Sequence, residues 1–466
     1  MRRLARSDEE FRSLAHRLAD FSADYLDSLL DLPSFPSDAS GEAVTAIFDS
    51  ETPHNGIGAA AFDLLPGVFH FSRPSSPRFF GYVFGSGEPV GALGDFAASV
   101  LNQNATAWRS GPSAIIIEHT VIRWLAEAIG CPGFSGSLTV GGSAANLMGL
   151  CMAREAKAPA NQNGAQGGTL YCSTEAHMSN AKAAALLGLG HQAVRLIPVD
   201  DALRMRTDLL RAEVQSDLRA GRKPIAVIAS AGTTATGSID PIHEIADICA
   251  EFGLWLHVDG AYGALAALAM PKEFRGMDRA DSISLDPHKW LYQPAGCGCL
   301  LYRNREDARQ AFSHTGDYAR SLLSDPVEGF AVFEESMELS RPFRALKLWL
   351  SLRYHGLNAF RESIAEDMRL AQTLAESIDI EPRLQRLAPV ALSAVCFRFV
   401  ADDQSSDELN RRILLAVNRR GRVYLSNAVV RGRFCLRACV VNHRTTPADV
   451  GEIVSEVLAA FSELTL

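Results

Sequence analysis

The sequence predicts an α/β protein: a mainly parallel seven-stranded sheet, preceded by an N-terminal arm and followed by a small α+β domain. Three observations point there. Between about 92 and 302, short β-branched or apolar runs alternate with longer Ala-, Leu-, Glu- and Arg-rich stretches, the order of repeated strand–helix–strand units. Six prolines, at 33, 36, 53, 66, 74 and 77, break up the segment before it. The last hundred or so residues mix strands and helices without that alternation. The expected organisation is an arm over 1–88, a large domain over 89–360 and a small domain over 361–466.

In chain order, residues 1–32 set Leu, Phe and Tyr at helical spacing among Arg, Asp and Glu, which predicts an amphipathic helix that needs a surface to lie on. Strands follow at 137–140, 169–173, 194–199, 225–230, 254–259, 281–286 and 298–302. The polar stretch 314–334 reads as a loop, and 341–353 as a long helix. The small domain should hold strands at 394–399, 423–426 and 433–440, a helix at 407–419 and a final helix. Ligands of parallel sheets bind just beyond the carboxyl ends of the strands, so the residues after each run are where chemistry belongs.

Composition narrows the function classes. Of 466 residues 47% are hydrophobic and 21% charged, with 36 Gly and 21 Pro, which excludes disorder and collagen-like repeats. Lys plus Arg number 45 against 54 Asp plus Glu, and the net charge of −9 offers no footprint for nucleic acid or an anionic membrane. A small metabolite is the expected partner. No run of ~18 apolar residues suggests a membrane span, and residues 1–31 lack the apolar core of a secretory signal. Nine scattered cysteines, with no CxxC pair, fit a reduced cytoplasm, and no metal site is expected.

Only six lysines occur, and five of them sit on helices or in turns where solvated positive charges belong. Lys289 differs: it lies in Ser282-Ile-Ser-Leu-Asp-Pro-His-Lys-Trp290, just after a strand and between an imidazole and an indole. A lysine held at a strand end, partly desolvated, can lose its proton and attack a carbonyl. Thirty residues earlier, Leu254-Trp-Leu-His-Val-Asp-Gly-Ala-Tyr262 puts Asp259 at the end of the preceding strand. Alone it reads equally as a helix cap; paired with Lys289 on a neighbouring strand it can serve the pyridinium nitrogen of pyridoxal phosphate (PLP). Ser137-Leu-Thr-Val-Gly-Gly-Ser-Ala-Ala-Asn146 runs from a strand through small residues into a helix start, where backbone N–H groups can cradle a phosphate. His177, in Thr174-Glu-Ala-His-Met-Ser179, is either a loop histidine or a flat wall for a ring. Ser230-Ala-Gly-Thr-Thr-Ala-Thr236 supplies hydroxyls that suit plain turn chemistry or a cofactor contact. The five fall in one order at successive strand ends.

With these residues in place the chain resembles the PLP-dependent group II amino-acid decarboxylases, most closely the relatives of aromatic L-amino-acid decarboxylase. The resemblance runs from about 11 to 463. It is carried by Ser76-Pro-Arg-Phe-Phe-Gly-Tyr82, Gly142-Ser-Ala-Ala145, Ala176-His177, Gly232-Thr-Thr234, His257-Val-Asp-Gly-Ala-Tyr262, Asp286-Pro-His-Lys-Trp290, Leu436-Arg-Ala-Cys439, Asn442 and Arg444-Thr445. It implies the aspartate-aminotransferase-like (fold-type I) architecture, PLP as cofactor and a homodimer in which the arm wraps over the partner. Carried over, Lys289 would bond to the cofactor aldehyde, Asp259 would hold the pyridine nitrogen and His177 would stack on the ring. Ser143, Ala144 and Ala145 would bind phosphate, and Thr234 would sit against cofactor and substrate. Ala261 and Asp286 complete the cofactor-binding set. Tyr318 falls where the family has a tyrosine that returns a proton to the α-carbon, and His288 would shape the site or relay protons.

The implied reaction is decarboxylation of an L-amino acid, aromatic in the first instance, to the amine and CO₂. The chain departs from the aromatic enzymes at several positions. Asp286 replaces an Asn near the phosphate, where a carboxylate would be repulsive unless it pointed at backbone N–H groups. Gly85 replaces a Thr, and Asn104 and Thr106 replace apolar groups that grip the ring, so a pocket with one polar edge is expected beside Tyr82, Phe84 and Trp108. An acidic or diamino acid substrate, an aldehyde-forming oxidative decarboxylase, and an aminotransferase or carbon–sulfur lyase stand as alternatives. An aminotransferase would need an arginine clamp, for which Arg437 is the candidate. A non-catalytic protein of this fold is the rival from another class.

Overall fold

The computed structural model describes residues 7–36, 38–314, 325–400 and 407–465. Its central strands are the apolar runs of the sequence: β1 (Ser135–Thr139), β2 (Thr169–Ser173), β3 (Val194–Ile197), β4 (Pro224–Ser230), β5 (Trp255–Asp259), β6 (Ser282–Leu285) and β7 (Gly298–Tyr302). Every residue of β2, β5, β6 and β7 is buried, as strands covered by helices on both faces must be. They form one sheet in the order β1-β7-β6-β5-β4-β2-β3. Neighbours from β3 to β6 run parallel, each pair joined through helices such as Thr207–Arg219 and Ile242–Phe252. β7 lies antiparallel to both β6 and β1. The link from β6 to β7 holds only the one-turn helix Pro287–Trp290 and a turn, with no helix long enough to cross the sheet, so the chain doubles back. That short link carries Lys289.

The small domain has an antiparallel sheet of β8 (Leu384–Arg386), β9 (Ala394–Phe399), β10 (Ser426–Val430) and β11 (Arg433–Cys439), ordered β10-β11-β9-β8. Two details depart from the sequence reading. β8 is unforeseen, since its three residues include a single apolar one. The strand expected at 423–426 begins at Ser426, because Tyr424 pairs instead with the arm: its N–H donates to Arg78 O and its carbonyl accepts from Phe80 N, at 3.1 and 2.9 Å. The arm itself carries the helix Asp8–Ser28, capped by Ser7 Oγ accepting from Glu10 N. None of this helix's residues is buried, and Phe21 and Tyr25 each meet the Phe69 ring edge-on, at 4.8 Å between centroids. Helix Leu357–Ile380 runs from the large core, through Phe360 and Ile364, into the small one, through Leu370, Leu374 and Ile378.

Candidate active site

A cavity of about 340 Å³ opens at the carboxyl ends of the strands. Five of the seven strand ends contribute to its wall: Ser143 and Ala144 after β1, His177 after β2, Thr234 after β4, Asp259 and Ala261 at β5, and Asp286, His288 and Lys289 after β6. Ala145 is the exception. Its side chain packs into the core with Met148, away from the cavity. The N–H groups of Ala144 and Ala145 both turn back to Gly141 O, at 3.0 and 3.1 Å. The donors left facing outward at the start of helix Gly142–Lys157 are therefore those of Gly142 and Ser143, which meet no acceptor among the described residues. A Cβ on Gly142 would lie 2.6 Å from Ala261 Cβ and 2.9 Å from Asp286 Oδ2, so only glycine lets the backbone close in here.

Asp259 is fixed by residues the sequence reading missed. Its Oδ2 accepts from the side-chain amides of Asn146 and Asn180, at 2.9 and 3.0 Å, and its Oδ1 from Ser284 Oγ at 3.3 Å. These three bonds leave the carboxylate no freedom to rotate. A chain of bonds behind Asn146 sets its orientation in turn. Trp255 Nε1–H donates to Ser282 Oγ at 2.9 Å, which leaves the hydroxyl hydrogen for His257 Nδ1 at 2.8 Å. His257 Nε2–H then donates to Asn146 Oδ1 at 3.0 Å, so the Asn146 amide nitrogen faces Asp259 and Ser179 Oγ. Full burial pulls the His257 pKa down to about 4, so this imidazole is neutral and has one N–H to place. Ser179 ends the chain at His177, which caps helix Met178–Leu186: Ser179 N donates to His177 Nδ1, placing the imidazole proton on Nε2. Buried asparagines at helix positions 146 and 180 were the available signal, but nothing local says which acceptor they find.

On the wall of the same cavity Lys289 Nζ lies 3.0 Å from Asp286 Oδ2. Asp286 does not point at backbone N–H groups: its bonded partner is the lysine, and its Oδ1 is buried with no partner among the described residues. His288 donates from Nδ1 to Cys297 O at 2.8 Å, and its ring lies 5.6 Å from that of Phe84. Burial lowers its pKa, so it too is neutral. Arg437 is not a free clamp. Its guanidinium donates to Ser426 Oγ, Gly81 O and Thr234 O, which fastens the hydroxyl loop after β4 to the small domain and to the arm.

The polar pocket edge expected at 85, 104 and 106 is not part of this cavity. A Cβ at Gly85 would sit 2.5 Å from the carbonyls of both His288 and Lys289, so glycine here serves close backbone packing against the lysine's own turn. Asn104 Oδ1 instead accepts from Arg341 N at 2.9 Å. Tyr82 joins Phe79 and Tyr424 in an aromatic cluster. Tyr318 lies outside the described residues.

An oriented carboxylate, an amine and an imidazole lining one cavity, with unclaimed N–H donors at a helix start, match the needs of PLP: an acid for the ring nitrogen, an amine for the aldehyde, a flat surface and an anion site. The comparisons agree. The conserved domain of pyridoxal-dependent decarboxylases matches residues 57–400. An aromatic-L-amino-acid decarboxylase of Bacillus atrophaeus is 34% identical, over 99% of this chain and 97% of its own. A phenylacetaldehyde synthase of a Rosa hybrid cultivar is 30% identical, over 93% of this chain and 90% of its own. Among solved structures, that of the Oryza sativa TDC with PLP and tryptamine superposes with a TM-score of 0.92 at 27% identity, covering 100% of this chain and 99% of that one. With its fold, its cavity and its sequence in agreement over nearly its full length, the chain belongs to the pyridoxal-dependent decarboxylases.

Proposed function

We propose that this PLP-dependent amino-acid decarboxylase converts an aromatic L-amino acid to its amine and CO₂. The observation that carries the reading is the pairing of Lys289 with an Asp259 carboxylate locked by two amides, both on the wall of one cavity. The cofactor, when bound, supplies an electron sink for the pair left behind by CO₂. Asp259 would keep a proton on the ring nitrogen, and its two amide donors hold it in the orientation that this needs. His177 would form the flat wall, and Gly142 and Ser143 would donate their N–H groups to the phosphate. Lys289 would hold the cofactor until the substrate amine replaces it. Tyr318 would return a proton to the α-carbon; a phenol, with pKa near ~10, still carries one at neutral pH. The aromatic class is supported by the relatives' names, tryptophan and tyrosine decarboxylases among them.

The chain works, in this reading, as a homodimer in the cytoplasm. Helix Pro89–Leu101 exposes Leu93, Phe96 and Val100 at helical spacing, and the arm exposes Ile47, Phe48 and Leu64, apolar groups that a second copy would cover. All nine cysteines are free, and no helix among the described residues is long and apolar enough to cross a membrane.

Incubation with a panel of aromatic, acidic and basic L-amino acids, following CO₂, amine, aldehyde and ammonia, tests the reaction. Amine and CO₂ from an aromatic substrate are expected. Aldehyde with ammonia would move the chain to the reaction of its phenylacetaldehyde synthase relative, and turnover of acidic or diamino acids alone would remove the aromatic assignment.

A further inference from the structure

We infer that Asp286 takes up one proton when the cofactor binds, and that in the loaded enzyme it is a neutral carboxylic acid donating to the cofactor phosphate. The inference rests on the reading above, in which the phosphate lies at the start of helix Gly142–Lys157 and Lys289 captures the aldehyde. Asp286 Oδ2 is pressed against that helix start, where a Cβ on Gly142 would come within 2.9 Å of it. Its side chain is 3% exposed, and its Oδ1 is buried with no hydrogen-bond partner among the described residues. A carboxylate oxygen left bare in that way is a poor end state for an anion and a good one for an O–H that finds an acceptor.

The charges that face Asp286 are few. On its own turn Lys289 Nζ stands at 3.0 Å and His288 Nε2 at 3.7 Å. His288 is neutral, held so by burial, and spends its other nitrogen on Cys297 O. On β7 and the turn before it the facing groups are the thiols of Cys299 and Cys297, both kept protonated by burial. The helix start brings no ionisable side chain. Lys289 alone therefore balances Asp286.

Cofactor binding removes that balance. Condensation of the lysine with an aldehyde forms one carbon–nitrogen double bond, releases one water and leaves the nitrogen at most one of its three N–H groups. The same event brings a phosphate of about −1.5 to −2 charge to the helix start. The lysine nitrogen keeps its positive charge but has at most one N–H to share between cofactor and carboxylate, and two buried anions side by side with so little left to pair them cannot both remain ionised. One proton from solvent resolves the conflict: Asp286 becomes O–H, the phosphate accepts from it, and no other atom or electron changes place. An Asn at this position would donate an N–H at any pH; Asp286 donates only while protonated, so this enzyme should release its cofactor as the pH rises.

The test uses the full-length apoprotein, wild type and Asp286→Asn, titrated with PLP from pH 6.5 to 9. Calorimetry in two buffers of different ionisation enthalpy should show wild type taking up about one proton more per site than D286N at pH 8. The ratio of wild-type to D286N Kd should climb towards about tenfold per pH unit on the alkaline side. Independently of any variant, the infrared difference spectrum of loaded minus apo wild type should gain the C=O stretch of a neutral carboxyl. Equal proton uptake with parallel Kd profiles, or a loaded protein lacking that band, would overturn the inference while leaving the decarboxylase reading in place. A wild-type protein that binds no PLP would overturn both.

Discussion

Asn146 lies between two buried groups that both depend on it, which makes Asn146→Ala the most informative single change. The substitution removes the 2.9 Å donor to Asp259 Oδ2 and the 3.0 Å acceptor of His257 Nε2–H. A hydrogen bond to an ionised carboxylate is worth about 1.5–3 kcal/mol, and a buried donor left bare costs about 1–3 kcal/mol. Together they amount to about 3–5 kcal/mol. For a chain this long, with an unfolding entropy on the order of 1 kcal/mol per degree, the melting temperature should fall by about 3–5 °C. Asp259 would keep Asn180 and Ser284, so it stays in place but grips a ring nitrogen less firmly, and kcat/KM should drop by about 10–100-fold. Two comparators separate the causes. Asn180→Ala removes an equivalent donor and leaves His257 paired, so it should cost about half as much stability. Adding His257→Leu to Asn146→Ala removes the stranded donor, and the double variant should recover about 1–2 kcal/mol against the sum of the singles. Thermal melts with and without PLP, and kcat/KM for the preferred substrate, measure all three. Equal losses for Asn146→Ala and Asn180→Ala, with strictly additive energies in the double variant, would refute the chain from His257 through Asn146 to Asp259.

Lys289→Ala should give a colourless protein without turnover, and borohydride reduction of the loaded wild type should label Lys289 alone; a yellow, active Lys289→Ala protein would remove the basis of the mechanism. Asp367 is buried between Tyr292 and Trp290, whose O–H and N–H it accepts at 2.8 and 3.2 Å, and burial pushes its pKa up to about 8. The folded protein thus holds a proton that the unfolded chain releases above about pH 4, so this group's contribution to stability is full below pH 4 and is lost as the pH rises towards 8. Asp367→Asn keeps the acceptor and should flatten the decline by up to about 1.4 kcal/mol per pH unit, read as urea midpoints at pH 5.5 and 7.5; parallel declines would show that Asp367 is ionised when folded. Glu118 and Arg341 form a 2.6 Å ion pair, each side chain 1% exposed, that ties the chain before helix Ala345–His355 to β1. Glu118→Gln leaves the buried guanidinium only the longer contact from its Nε to Glu338, at 3.6 Å, and should destabilise by about 3 kcal/mol in denaturant unfolding, where a change under ~1 kcal/mol would argue that Glu338 or water takes over the charge.

Much of the site was legible before any coordinates, for a definite reason. In a parallel sheet every strand must be apolar throughout and every ligand group must follow a strand end, so Asp259, Lys289, His177 and Thr234 announce themselves by position. The groups that misled are those whose role depends on what lies opposite. Gly85 reads as room for a substrate and proves to be contact with the carbonyls of His288 and Lys289. Asn104 reads as a polar pocket edge and proves to hold Arg341 N. Arg437 reads as a clamp and proves to be spent on Ser426 Oγ and two loop carbonyls. The segment at 423–425 has the pattern of a strand, but the arm, more than three hundred residues earlier in the chain, claims the backbone of Tyr424.

The layered α/β architecture, the order of the strand ends and the residue types that can hold PLP are written locally, in backbone preference and in the spacing of apolar side chains. Which atoms meet is settled by long-range packing. Asn146 reaches Asp259 across 113 positions and His257 across 111, and Asp286 faces both the lysine three residues on and a helix that begins 144 residues before it. Those pairings follow from the sheet's lateral order, which long-range packing sets and no short window of sequence contains.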